Sequence, residues 1–138
     1  MITIHLKGRE IPLLYTVMEM KTIQEDICPL GDLSYRILGV NRDDPEDRNG
    51  FGGPEHLDAV AKLIRILGNA GLEEAGENPD LTEKKILRAL KPTEISGMVN
   101  ACAEALNEGL TSEIPPQDDG EPKDVVLEDM KKKEIREG

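Results

Sequence analysis

The sequence predicts an α+β fold that is mostly helical, with an N-terminal β-hairpin packed on a small bundle of about four helices and a flexible acidic C-terminal tail. Three observations lead there. Residues 2 to 15 alternate apolar and polar side chains, the period of a half-buried strand. From Thr16 onward apolar residues recur at three- and four-residue intervals, the period of amphipathic helices. After Thr111 the composition shifts to Pro, Gly and acid.

In the hairpin, Ile2, Ile4 and Leu6 alternate with Thr3, His5 and Lys7, and Gly8-Arg9 leads into Ile11, Leu13 and Tyr15. Pro12 requires the second strand to be short or at an edge. Thr16 stands three residues before Glu19 as a capping box, and Met20, Ile23 and Ile27 follow at helical spacing, so a helix is expected from about 17 to 28, ended by Pro29 and Gly31. Leu33, Tyr35, Ile37 and Leu38 form a short apolar segment whose type the pattern does not decide. Residues 41–53, NRDDPEDRNGFGG, are a polar, Gly-rich stretch expected to bury little surface and to be disordered or mobile.

Pro54, with Glu55 in the first turn, opens a strong helix whose face is marked by Leu57, Val60, Ala61, Ile64 and Leu67. Gly68 and Gly71 continue that face. Either they admit another helix closely, or Gly68 ends this one. Asp80 with Glu83 is expected to cap a short helix over LTEKKILRALK, and Pro92 to begin the last core helix. There Ile95, Val99, Cys102, Leu106 and Leu110 form one stripe, widened by Met98 and Ala103. The expected division is a compact unit over 1–111 and a tail over 112–138. In the tail, Val126, Leu127 and Met130 share a face too short to be stable unaided: it is a frayed end or a segment that orders on binding.

With 28 acidic and 17 basic residues the net charge is −11, so phosphate backbones and anionic lipid surfaces repel the chain. Neither nucleic acid nor a membrane is expected as a partner. Aromatic residues are 2% of the chain, leaving few platforms for stacking on bases, sugars or flavins. Cys28 and Cys102 stand far apart with no CxxC companion and read as small core residues suited to a reducing cytoplasm.

Reactive signatures are missing from the sequence. His5 and His56 have no metal-ligand spacing to Cys, Asp or Glu, and read as surface or packing residues. Asp47, Asn49, Gly52 and Asp58 fall at calcium-loop positions one, three, six and twelve, but Phe51 offers no ligand at position five and Asp58 replaces the glutamate of position twelve. Gly50, Gly52 and Gly53 do not complete a dinucleotide fingerprint, and no serine sits in a nucleophile elbow. The expectation is a protein that is not an enzyme, with no cofactor, no metal and no catalytic residue.

The stretches ITIHLKGREIPLLYTVMEMKTIQED, DLSYRILG and PEHLDAVAKLIRILGNAGLEEAGENPDLTEKKILRALKP resemble the tail assembly chaperones of long-tailed phages and prophages of Gram-positive bacteria. The resemblance covers roughly residues 1–110, and more weakly the end that contains Lys131, Lys132 and Lys133. It implies a non-virion protein in the cytoplasm of the bacterial host, with the tape measure protein and the tail tube protein as partners and self-association left open. No functional residue is carried over from the family. A holdase for a helical client needs adaptable aliphatic and Met-bearing surface, for which Met18, Val126, Leu127 and Met130 are the candidate contacts, whereas Met20 and Met98 suit core filling. A structural tail or head-tail connector protein retained in the virion is the alternative, and a charge-based DNA mimic is a third reading, opposed by the interleaving of acids with bases.

Overall fold

The computed structural model describes residues 1–111. It consists of the hairpin strands β1 (Thr3–Leu6) and β2 (Arg9–Pro12), then helices α1 (Val17–Asp26), α2 (Leu30–Leu38), α3 (Pro54–Glu74), α4 (Glu83–Ala89) and, after a 3-10 turn at Pro92–Glu94, α5 (Ile95–Thr111). The α+β, mostly helical class is therefore as expected, with five helices in place of about four. The additional one is α2, the segment whose pattern is undecided in the sequence.

β1 and β2 pair antiparallel with Ile4 opposite Ile11 and Leu6 opposite Arg9. Lys7 and Gly8 both take positive φ, 51° and 79°, as a two-residue turn matched to the strand twist requires. Ile4, Leu6, Ile11 and Leu13 face the core, and Pro12 closes the short second strand.

The hairpin lies on α3. A Cβ on Gly71 would stand 1.8 Å from the carbonyl oxygen of Pro12, and one on Gly68 would stand 2.6 Å from Leu81 Cδ1 and 3.1 Å from Ile11 Cγ2. Both expectations for these glycines are thus corrected. The helix continues through Gly68, and what approaches it is the second strand with its neighbours, not another helix. The Leu14 amide donates to the Leu67 carbonyl at 3.0 Å, tying the segment after β2 to the helix. α1, α2, α4 and α5 also pack on α3. Buried residues on this helix accordingly spread beyond a single face, with Ala59, Val60, Ala61, Leu63, Ile64, Ile66 and Leu67 nearly consecutive.

α2 is short, and its stability comes from context. Leu33 and Ile37 are buried one turn apart, and Gly39 ends the helix in the left-handed conformation with its amide donating to Tyr35. The segment 41–53 that follows is exposed, as its polarity implies, yet it forms defined turns. Asn41 Oδ1 accepts from Asp43 N at 2.9 Å, Asp44 Oδ1 from Glu46 N at 3.3 Å and Asp47 Oδ1 from Asn49 N at 3.1 Å. Short polar side chains thus supply the bonds that no strand or helix provides here.

The cap of α4 also differs from expectation. Thr82 is the N-cap and accepts from Lys85 N at 3.1 Å, while Asp80 turns to Arg9, whose guanidinium donates to it at 3.0 Å. That bond draws the hairpin to the approach of α4 and holds the Asp80 carboxyl below its ordinary value. Asn69 fixes the same approach, accepting from Leu81 N at 2.9 Å and donating to the Leu81 carbonyl at 3.1 Å.

Candidate binding surface

Several exposed apolar residues lie where α1 begins and α5 ends. Glu19, buried in the first turn of α1, accepts from the Thr16 amide at 2.9 Å and from the Thr16 hydroxyl, which fixes the rotation of the helix. With Ile23 directed to the core, Val17 and Met18 are left 76% and 67% exposed. α5 reaches the same corner, because a Cβ on Gly109 would lie 2.6 Å from the Tyr15 carbonyl oxygen. Leu110, the next residue, is 57% exposed, and the Met1 amino group pairs with Glu108 at 3.3 Å, bringing exposed Met1 alongside.

Of the expected contact residues, Met18 is placed at this surface, whereas Val126, Leu127 and Met130 lie outside the described residues. Met20 and Met98 are half-buried, and Met98 packs against the core. The stripe on α5 is buried at Ile95, Val99 and Cys102, half-buried at Leu106 and exposed at Leu110, so its last residue belongs to the surface. Periodicity alone assigns Leu110 to the core and gives Val17 no role. The available signal is position: Val17 directly follows a helix cap, and Leu110 directly precedes the polar linker.

Both histidines make contacts within the described residues. His56 is buried at the start of α3, where Nδ1 accepts from Gly52 N at 3.0 Å and Nε2 lies 2.8 Å from the Ile37 carbonyl oxygen. The first contact fixes the tautomer, so Nε2 carries the proton and donates to a carbonyl in the last turn of α2 that the helix itself leaves open. His56 is therefore a packing residue that joins three elements, with the Phe51 ring 4.5 Å from its own. His5 is exposed and pairs with Glu10 at 3.3 Å.

Burial pushes the Cys102 thiol up to about 12 and also raises that of Cys28, opposite to what a nucleophilic thiolate needs. The residues at calcium-loop spacing do not converge. Asp47 serves the Asn49 amide and the Asn41 side chain, and Asp58 pairs with Lys62 at 3.3 Å. Among the described residues no three of His, Cys, Asp and Glu are grouped to hold a metal ion, and no helix is long and apolar enough to cross a membrane. Compared with protein-family models, curated proteins and solved structures, the chain matches none.

Proposed function

We propose that this chain is a non-catalytic tail assembly chaperone, which binds a phage tape measure protein, keeps it soluble and helps recruit tail tube subunits around it. The observation that carries the reading is the exposed corner of Val17, Met18 and Leu110 on a helical body, in a chain of net charge −11. Unbranched Met18 can adapt to an apolar helical client, while the acidic exterior keeps the complex in solution. Burying Met18 and Val17 against a client contributes on the order of 1.5–3 kcal/mol for each side chain fully covered.

The test is co-expression with a phage tape measure protein as client. The client is expected in the soluble fraction with the native chain and in the pellet with a Val17→Asp, Met18→Asp double variant. Both substitutions fall in the first turn of α1, where acids suit the helix dipole, so the fold is retained. Equal precipitation of the client with and without the chain overturns the proposal, as does recovery of the chain in fixed copy number from purified particles.

A further inference from the structure

The polar segment between α2 and α3 brings together two groups that can react with each other. Phe51 N donates to the Arg48 carbonyl at 3.3 Å, so Asn49 and Gly50 are the central pair of a turn. The Asn49 amide donates to Asp47 Oδ1 at 3.1 Å, whereas the Asn49 side chain and the Gly50 amide nitrogen have no partner among the described residues. Both residues are exposed and line a cleft of about 390 Å³ together with Tyr35, Arg36 and Glu55. Asparagine is among the thermolabile residues. A free side-chain carboxamide and the free backbone nitrogen that follows it, both open to water, are the reactants of imide formation.

Packing accounts for glycine at the second of these positions. The turn is laid on the C-terminus of α2: a Cβ on Gly50 would stand 3.0 Å from the Gly39 carbonyl oxygen, and one on Gly39 would stand 2.6 Å from Phe51 Cα. The close approach favours glycine at 50, and glycine leaves its nitrogen unshielded. The other asparagines are protected. Asn78 precedes Pro79, which has no amide proton, and Asn100 and Asn107 lie within α5, where the helix holds the amides that follow them. Asn69 is clamped on Leu81, and Asn41 is engaged by Asp43 and Asp47.

We infer that Asn49 is a site of spontaneous intramolecular deamidation, in which the Gly50 nitrogen attacks the Asn49 carboxamide and the product passes through a cyclic imide. The Gly50 nitrogen gives up its proton and bonds to Asn49 Cγ. The bond from Cγ to the side-chain nitrogen breaks, and that nitrogen leaves as ammonia with the proton. Water then adds to the imide. Opening at one carbonyl yields aspartate, and opening at the other yields isoaspartate, in which the main chain runs through Cβ. Water is the only co-reactant, and no group is oxidised or reduced.

Isoaspartate adds a carbon to the main chain in a turn that is confined between Gly39 and the His56 ring. Gly52 follows closely, so the added length falls on its 3.0 Å bond to His56 Nδ1. The product releases that bond and loosens the joint between α2 and α3. This chemistry belongs to the chain itself and does not depend on what the exposed corner binds.

The test incubates the full chain in neutral heavy-oxygen water, with a peptide of residues 45–53 as a time standard. Digestion in ordinary water leaves artefacts unlabelled, and mass spectrometry reads the products. Conversion of Asn49 to aspartate and isoaspartate, both carrying the heavy oxygen, is expected, with the isoaspartate identified by an isoaspartyl methyltransferase. Asn49→Gln, which must close a larger ring, is expected to lose both products over the same interval. Amide exchange should show protection lost at Gly52 in the isoaspartyl fraction and kept in Asn49→Asp, with Leu63 and Ile64 protected in both. A folded chain that keeps Asn49 intact after the peptide has converted overturns the inference. So does aspartate without isoaspartate, or conversion at Asn41 or Asn69 as fast as at Asn49. Undiminished protection at Gly52 in the isoaspartyl chain overturns the loosening of the joint.

Discussion

His56 holds more of the structure than its place in an exposed first turn suggests. Its ring accepts from Gly52 and donates to Ile37, so replacing it by leucine fills the space but leaves a buried carbonyl and an amide without partners. His56→Leu is expected to cost about 3 kcal/mol, and amide exchange should show protection lost first at Gly52. Cys102 gives a pH signature. The folded thiol stays protonated to about 12, whereas an exposed thiol ionises from 9.0, so rising pH stabilises the unfolded chain across that window. Stability should fall by roughly 1 kcal/mol per pH unit between those values, and a Cys102→Ala variant should lose that part of the slope in denaturant titrations. The burial of Cys102 is legible from its place on the α5 stripe, whereas the bonds of His56 are not, because it acts through backbone groups of two other elements.

At the scale of elements, periodicity is enough for α1, α3 and α5, and alternation for the hairpin, since each repeats its burial pattern over several residues. α2 falls short because Leu33 and Ile37 mark only one turn, and its helical state follows from packing on α3 and from the left-handed Gly39. The cap of α4 lies two residues beyond the expected one: Asp80 and Thr82 are both good caps in isolation, and the choice is made by Arg9, distant in sequence. Gly71 is the sharpest case of a contact that sequence signals without naming its partner. A methyl group there would meet the Pro12 carbonyl, so Gly71→Ala is expected to cost about 3 kcal/mol by pushing the hairpin from α3, measured as a lower denaturation midpoint.

For the whole molecule, composition and charge point to a helical aliphatic core before any element is placed. The exposed corner is legible only in part: Met18 stands out by type, while Val17 and Leu110 require knowing that α5 ends against Tyr15. The arrangement of the core also limits how such a protein can work. β2, α1, α2, α4 and α5 all lean on α3, and one buried cluster runs from Ile4 to Ala105. No pair of these elements can swing apart without exposing the central shaft, so a jaw-like motion would amount to unfolding. A partner bound by the described body would sit on its outside, against side chains that can adapt while the frame beneath them keeps its shape.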